Sequence, residues 1–298
     1  MSVAGQDDPL LRMIPLVFVL IWSTGFIVAR YGMPYGPPFT FLALRFALSV
    51  ICFLPWIWWS RSRWPSDRRQ WGHLAVTGVL MHACYLGGVW AAVKAGMGSG
   101  VSALVVGLQP VLTAIWLAAR GTHVSSRQWI GLSLGLAGLV LVVSRKLGLA
   151  DASDQITAVN LSLAVGALLA ITVGTLYQKR FVAPCDVRTA NAVQLGAALL
   201  VTLPLALLES ESMLWEPQAI GAMAWSVLVL TLGGSSLLYM LIQKGAATTV
   251  TSLFYLVPPT AAVMAWVLFS EPITFLTVLG MAITALGVSL VIRARPST

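Results

Sequence analysis

The segment GLQPVLTAIW, residues 107–116, has a counterpart in LVPPTAAVMA, residues 256–265, and Pro110 of the first segment aligns with Pro259 of the second. Both segments are apolar, and the 149 positions between them are half of the 298-residue chain. The whole sequence can be compared with itself at this offset without a gap. A match along its length would indicate an internal duplication, which is the first property to test because it governs the architecture.

Glycine and proline residues carry the match along the rest of the chain. At the same offset the aligned pairs are Gly25 with Gly174, Pro55 with Pro204, Gly72 with Gly221, Gly96 with Gly245, Gly131 with Gly280 and Gly138 with Gly287. The positions of glycine and proline are determined by backbone geometry and close helix contact rather than by lipid solubility. Shared apolar composition therefore explains these pairs poorly. We therefore predict one structural unit in two copies, residues 1–149 and residues 150–298.

The composition indicates that the solvent of this chain is a lipid bilayer. Hydrophobic residues make up 58% of the sequence, charged residues 9%, and the mean hydropathy is +0.87, whereas soluble domains carry about a quarter charged residues. A bilayer core about 30 Å thick requires roughly 20 mainly apolar residues per helix. Membrane strands would instead alternate over segments of roughly 10 residues, and no segment here alternates over its length. We predict an all-α integral membrane protein.

Ten apolar runs are predicted as transmembrane helices, five in each copy, and their short connections leave no room for a soluble domain. The predicted spans are Leu11–Ala29, Phe39–Trp59, Trp71–Val93, Ser99–Ala119, Trp129–Val143, Val159–Tyr177, Ala190–Leu208, Ile220–Leu241, Thr248–Phe269 and Ile273–Ile292. Because each unit has an odd number of helices, the second unit enters the membrane in the opposite orientation. The sequence thus predicts two inverted-topology five-helix repeats.

Loop charges test this inversion independently. The loop after helix 2 contains four arginines between residues 61 and 69, while the equivalent loop after helix 7 contains three glutamates between residues 209 and 216 and no Lys or Arg. Basic loops remain in the cytoplasm, so both termini are predicted to be cytoplasmic. The pair Arg145 and Lys146 is the one local misfit, because this arrangement places it outside.

Several classes of protein are disfavoured by the sequence. The net charge of +8 comes from short basic clusters between apolar runs, which fits topology signals better than a nucleic-acid partner. The three cysteines lack metal-ligand spacing, and the phosphate-binding motif G-x-x-x-x-G-K-[ST] is absent. Three scattered histidines are a poor basis for a membrane-embedded enzyme. We expect no cofactor, no metal and no enzymatic activity.

Four segments carry a family resemblance over essentially the whole chain. They are IWSTGFIVARYG (21–32), FLALRF (41–46), GLQPVLTAIW (107–116) and YLVPPTAAVMAWVLFSEPIT (255–274). In this order they resemble the drug/metabolite transporter superfamily, in particular its ten-helix EamA-type branch, and are most similar to the bacterial aromatic amino-acid exporters. One departure is that Glu271 has no acidic counterpart in the first half, where His123 and Val124 occupy the neighbourhood.

The resemblance implies a function and a location. It implies export of amino acids, aromatic and other neutral ones, across a bacterial inner (plasma) membrane, through a central cavity that opens alternately to either side. The partners would be the small-molecule substrate and the lipid bilayer, and a monomer is plausible. An exporter of another small metabolite or drug is the alternative, and a membrane-embedded enzyme is a more distant one.

Polar side chains on helices 4 and 9 form the first part of the predicted cavity lining. Spacings of three and four place Ser99, Ser102 and Gln109 on one face of helix 4. The region of helix 9 that aligns with this face at the offset of 149 presents Thr248, Thr251 and Tyr255. Inverted-repeat transporters bind substrate near the midplane between the repeats, so we predict that these two faces confront each other there. The alternative is that the hydroxyl groups only permit close helix packing.

Ring side chains and one arginine complete the set of candidates. The ring-bearing candidates are Trp22, His82, Tyr85, Trp90 and Tyr239. They could contact an apolar side chain or hold an ammonium group over a ring face, or they could be interfacial or packing residues. Arg45, inside helix 2, could contact a substrate carboxylate, or it could reach the outer headgroups or form a structural bond.

Overall fold

A computed structural model describes residues 9–121, 125–146, 156–237, 256–271 and 273–293, and every regular element within these ranges is helical. In chain order the helices are α1 Pro9–Gly32, α2 Pro38–Trp59, α3 Arg68–Lys94, α4 Ser99–Val106 continued by Gln109–Ala119, α5 Ser126–Lys146, α6 Ala158–Phe181, α7 Val187–Leu208, α8 Pro217–Ser235, α9 Val257–Phe269 and α10 Phe275–Arg293. Six of those described are long and apolar enough to cross a membrane. The ten predicted helices are confirmed, with differences of at most about four residues where both ends are described.

Polar residues at the helix starts explain why the elements begin where they do. Asp67 accepts a hydrogen bond from the backbone N–H of Arg69 before α3, and Asp186 accepts one from Arg188 before α7. A capping box between Thr157 and Asn160 starts α6. Each of these side chains satisfies a backbone donor that a helix leaves unpaired in its first turn.

Helices α2 and α7 occupy equivalent places in the two copies and run antiparallel. The Thr189 hydroxyl at the start of α7 donates to the Arg63 carbonyl beyond the end of α2, at 3.2 Å. At the opposite end, the Glu209 carboxylate accepts from the backbone N–H groups of Phe39 and Thr40, at 3.0 and 2.7 Å. The end of each helix therefore meets the beginning of its repeat mate. This confirms the inverted topology of the two repeats.

Helices α5 and α10 form a second antiparallel pair of repeat mates, and it is closely packed. A Cβ atom added at Gly138 would collide with the Gly280 carbonyl, and one added at Gly287 would collide with the Gly131 carbonyl. Since Gly138 aligns with Gly287 and Gly131 with Gly280, the same contact is made twice around one pseudo-two-fold axis. Small residues allow membrane helices to approach backbone to backbone in this way.

The charged loops lie at opposite ends of the bundle. Arg61 follows the C-terminus of α2, whereas Glu209 caps its N-terminus, and these ends are 22 residues or about 33 Å apart. Lys94 at the end of α3 pairs with Glu211, at 2.6 Å, at the glutamate end. The predicted boundary between residues 149 and 150 falls outside the described residues and stays a prediction.

The core of the bundle is aromatic, and its surface is apolar as well. Phe41, Phe46 and Trp90 are at most 1% exposed, while Leu200 and Leu207 on α7 are 75% and 79% exposed. Leucines facing outward on a long helix are what a hydrocarbon solvent requires. Polar groups are consequently informative where they lie inside, between the helices.

Candidate functional site

Two helices at the centre of the bundle depart from α-helical geometry in related places. Helix α3 contains a π-helical segment at Val79–Cys84, and α8 contains one at Ser226–Ser235. At the offset of 149 residues the first segment maps onto residues 228–233, which lie inside the second. Both repeats thus preserve the same irregularity. Segments of this type are rare and are frequently located at functional sites.

Each π-helical segment receives a polar side chain from a neighbouring helix. Arg45 on α2 donates from Nε to the Thr231 hydroxyl at 3.2 Å, and that hydroxyl donates to the Ser226 carbonyl at 2.8 Å. In the other repeat, the side chains of His82 and of Gln194 on α7 lie within hydrogen-bonding reach of each other. Arg45 aligns with Gln194 and His82 with Thr231, so these are one contact made in two copies.

A third group joins these residues. Tyr85, which is 6% exposed, and His82 both lie close enough to Arg45 to interact with it electrostatically. We call Arg45, His82, Tyr85, Gln194 and Thr231 the central polar cluster. It draws on α2 and α3 from the first repeat and on α7 and α8 from the second. It combines a guanidinium, an imidazole, an amide and two hydroxyl groups inside an apolar bundle.

Two buried hydroxyl groups beside this cluster find no hydrogen-bond partner among the described residues. They belong to Ser49, one turn after Arg45 on α2, and to Ser226, whose carbonyl accepts from Thr231. A buried hydroxyl usually bonds a carbonyl of its own helix, so an unbonded one is costly to keep. Their presence marks the seam between α2 and α8 as unusually polar for its surroundings.

The structure divides the predicted stripe on α4 between different roles. The backbone N–H and hydroxyl of Ser99 both donate to the Glu271 carboxylate, at 3.1 and 2.8 Å, so Ser99 belongs to the capped start of the helix. Ser102 is fully buried, and its hydroxyl has no hydrogen-bond partner within the described ranges. Gln109 donates to the Thr175 hydroxyl on α6 at 3.0 Å. The stripe is therefore not one continuous open face in this conformation.

Helices α4 and α9 do pack together, but the described contact uses glycines. Gly100 lies against Ala262, and Gly107 lies against Pro258. Both glycines are next to the predicted polar face rather than on it. The remaining predicted partners Thr248, Thr251 and Tyr255, together with Tyr239 on helix 8, lie outside the described residues.

The predicted ring side chains separate into two groups. His82 and Tyr85 belong to the central polar cluster, and the Phe46 ring meets His82 edge-on at 6.1 Å. Trp90 is instead 1% exposed and packs on the Phe41 ring at 4.6 Å, so its described contacts are those of a core residue. Trp22 is half-buried on α1, with its ring 5.3 Å from the Phe18 ring.

Gln194 and Thr231 are cluster residues that the sequence analysis did not select. The signal was available, because the offset of 149 aligns them with Arg45 and His82. Arg45 is 7% exposed and donates to Thr231 inside the bundle, so of the roles that the sequence leaves open, the structure shows the structural bond rather than a side chain that reaches the outer headgroups. The long Arg45 side chain could extend toward the membrane surface or into the bundle, and only the position of α8 decides between these two directions.

An open depression of about 560 Å³ lies elsewhere, between residues 60–66 and 184–188 at the arginine end. Arg61, Arg63 and Arg188 are among its lining residues. It begins 15 residues beyond Arg45 along α2, a separation of about 20 Å. It is therefore a surface feature of the loops and separate from the central polar cluster.

A helical bundle of two inverted repeats, with polar groups from both repeats meeting at its centre, has the architecture of a membrane transporter. The sequence profile of the EamA-like transporter family matches residues 13–144 and again residues 159–293. The chain belongs to the EamA-like transporter family, which confirms the resemblance drawn from its motifs. It is a multi-pass membrane protein.

Individual relatives are similar to this chain over nearly its whole length. The uncharacterized inner membrane transporter YedA of Escherichia coli strain K12 is 26% identical over 276 residues, which are 91% of this chain and 87% of the relative. A probable amino-acid metabolite efflux pump of the same strain is 22% identical over 283 residues, 91% of each chain. A solved crystal structure with a TM-score of 0.65 covers 93% of this chain and 94% of its own at 17% identity, and it shares the fold.

Proposed function

We propose that this protein exports amino acids, chiefly aromatic and other neutral ones, from the cytoplasm by alternating access through a cavity between its repeats. The observation that supports this most strongly is the central polar cluster, because its residues come from both repeats at the middle of the bundle. A substrate held there would contact both repeats at once. Rocking of one repeat against the other would then open the site to one side at a time.

The surroundings of the cluster suit an amino acid with an apolar side chain. Tyr85, His82 and Phe46 bring rings together, and rings in offset or edge-on arrangements attract one another in addition to burying apolar area. The guanidinium, amide and hydroxyl groups could bind the polar end of the same molecule. The relative that is named as a probable amino-acid metabolite efflux pump supports the same substrate class.

The distribution of acidic residues disfavours a cationic substrate. Every Asp and Glu of the sequence lies outside the interiors of the predicted spans. A cation at membrane depth would therefore find no carboxylate partner, and an unpaired charge there is costly. A neutral zwitterion fits the available groups better. Another small metabolite or drug remains the second candidate, because two of the similar transporters are named without a substrate.

We also propose a location and an orientation. The protein would reside in the bacterial inner membrane, as the name of one relative states for that relative, with both termini and the arginine end in the cytoplasm. Its partners would be the small-molecule substrate and the bilayer, without a nucleic acid and without enzymatic activity.

Efflux from loaded cells tests the proposal. Cells with and without the protein are loaded with a phenylalanine-containing dipeptide, and the appearance of free phenylalanine outside is followed in time. Proteoliposomes with radiolabelled phenylalanine, tryptophan, leucine, lysine and glutamate, with and without a pH gradient, identify the substrate class and the driving ion. Transport of the neutral residues only is the expected result. Absence of transport for all five would overturn the proposal.

A further inference from the structure

We propose that Arg45 is the carboxylate-binding residue of this transporter, and that its guanidinium takes the anionic group of the transported molecule beside Thr231 and Tyr85. This inference rests on the proposed function, because it assigns the polar end of the substrate to one side chain. The sequence alone leaves three roles open for Arg45: contact with a substrate carboxylate, contact with the outer headgroups, or a structural bond. Burial, charge and repeat symmetry each contribute to the assignment.

The first argument is the charge of Arg45 at its depth in the bundle. The Arg45 side chain is 7% exposed, and Arg45 is the eighth residue of a 22-residue membrane helix. Within the described ranges, each Asp and Glu is at a helix end or in a loop, and none pairs with Arg45. A buried cation is expensive unless an anion compensates it. A substrate carboxylate would provide that compensation during the transport cycle.

The second argument comes from the repeat mate. Gln194 makes the same contact to the π-helical segment of the other repeat, with His82 in place of Thr231. An uncharged amide is therefore sufficient to hold one of these segments against its neighbouring helix. Arg45 adds a positive charge and further donors that the helix contact does not require. This positive charge and these additional N–H donors are the groups that an anion would bind.

The third argument is the geometry of the guanidinium. In the described part of the chain, the hydrogen bond of Arg45 uses Nε, which anchors the side chain to Thr231. A guanidinium has five N–H donors, and its two terminal nitrogens form a fork that matches the two oxygens of a carboxylate. Fixing Nε therefore orients that fork. The hydroxyls of Ser49 and Ser226, for which the described part of the chain offers no hydrogen-bond partner, lie about one turn along their helices from Arg45 and Thr231 and could serve the same ligand.

Three small probes separate carboxylate recognition from general binding. They are L-phenylalanine, 3-phenylpropionate, which retains only the carboxylate, and phenethylamine, which retains only the amine. Their dissociation constants are measured on the purified full-length protein by calorimetry. We expect Arg45→Gln, which installs the side chain of its repeat mate, to weaken the first two ligands at least about tenfold. Phenethylamine should bind no more weakly than to the wild type, and more tightly if its ammonium group lies near position 45, because the variant removes a positive charge that repels it.

Two further variants control for charge and folding. Arg120→Gln removes a positive charge from the exposed end of α4 and should leave all three dissociation constants unchanged. Arg45→Lys keeps the charge but loses the fork, so it should retain part of the affinity for both carboxylates. If Arg45→Gln fails to fold, Arg45→Lys still tests the inference. Its affinity for the two carboxylates should be lower than that of the wild type, while its affinity for phenethylamine should not be lower.

Equal binding of L-phenylalanine to Arg45→Gln and to the wild type would overturn the inference, as would equal weakening of all three probes. The proposed function fails separately. If the wild-type protein transports no amino acid but binds 3-phenylpropionate in an Arg45-dependent manner, the function is wrong and the carboxylate site stands. If phenylalanine is transported equally by both proteins, the site is wrong and the function stands.

Discussion

Glu271 is an acidic side chain that is buried to 6% exposure at a helix start. It follows α9 and accepts hydrogen bonds from the backbone N–H groups of Ser99 and Gly100, at 3.1 and 3.4 Å, and from the Ser99 hydroxyl. A carboxylate at this position satisfies donors that α4 leaves unpaired and complements the helix dipole. It thereby joins the start of α4, in the first repeat, to the end of α9, in the second.

We predict that Glu271→Ala destabilises the protein by about 2 kcal/mol, because buried donors lose a charged acceptor. The measurement is thermal unfolding of the purified protein in detergent. Glu216→Ala is the matched control, since Glu216 precedes α8 without a side-chain bond to its backbone. Its unfolding temperature should equal that of the wild type. Equal stability of the two variants would show that the cap does not contribute.

Ser102 offers a prediction in which stability and binding change in opposite directions. Its buried hydroxyl has no hydrogen-bond partner in the part of the chain that the structure describes, so Ser102→Ala should leave the unfolding temperature unchanged or raise it slightly. If Ser102 lines the cavity, the same variant should bind phenylalanine more weakly, by about threefold to tenfold. Ser23→Ala is the comparison, because that hydroxyl donates to Val19 O at 2.7 Å and its loss should lower stability. Unchanged affinity in Ser102→Ala would argue for a packing role.

The side-chain assignments show what one sequence can and cannot give. The sequence predicts His82, Tyr85 and Trp90 alike as ring side chains that line the cavity. His82 and Tyr85 meet in the central polar cluster, whereas Trp90 packs on Phe41 in the core. Helical spacing gives the direction of a side chain around its own helix, but the identity of the helix it faces depends on tertiary packing.

Glycine contacts between α5 and α10 can be tested with two alanine substitutions. Gly138→Ala should destabilise the protein by about 1 to 3 kcal/mol, because the added methyl would meet the Thr284 hydroxyl and also the Gly280 carbonyl and the Thr284 backbone nitrogen of α10, and backbone atoms cannot move aside. Gly166→Ala, on α6, adds its methyl where nothing lies within 4 Å, and should be neutral or slightly stabilising. Thermal unfolding and yield of folded protein are the measurements. The contact would be unimportant if both variants behaved alike.

Cross-linking tests the paired contacts of the π-helical segments. In a background with Cys52, Cys84 and Cys185 replaced by alanine, the pair Arg45→Cys and Thr231→Cys should be linked by a short bifunctional thiol reagent. The pair His82→Cys and Gln194→Cys should be linked equally well, because it is the same contact in the other repeat. Ile51→Cys with Thr231→Cys is the control, as Ile51 is 60% exposed on α2. Linking of only one mate pair would contradict the pseudo-two-fold relation.

The order of the helices was predictable, whereas their irregularities were not. Apolar runs and the 149-residue offset predicted ten helices and their inversion, since hydropathy and glycine matching are properties of the chain itself. The π-helical segment VLMHAC at residues 79–84 contains no proline or glycine that would disturb a helix. Its extra residue per turn is stabilised by contacts with α7 and α6, so no local pattern reveals it.

Charge and packing act together over the full height of the bundle. The arginine end is bordered by Trp58 and Trp59, which are 84% and 87% exposed at the end of α2, as expected for a belt at the headgroup level. At the other end, Glu209 and Glu211 pair with the start of α2 and with Lys94. We expect loop charge to set the orientation, while the repeat-related contacts between the two ends hold the inverted units together.

Labelling of single cysteines tests this orientation in living cells. In the same cysteine-free background, Ser66→Cys lies in the exposed arginine loop and Ser212→Cys in the exposed glutamate loop. Because basic loops are retained in the cytoplasm, an impermeant maleimide should label Ser212→Cys on intact cells and Ser66→Cys only after permeabilisation. Labelling of both from outside would contradict the opposite placement of these loops, and labelling of Ser66→Cys alone would reverse the orientation while preserving the inversion. A reversed orientation would leave the central polar cluster in place, because it is built from both repeats and can open to either side of the membrane. The direction of amino-acid transport would then depend on the driving gradient and not on the orientation of the protein.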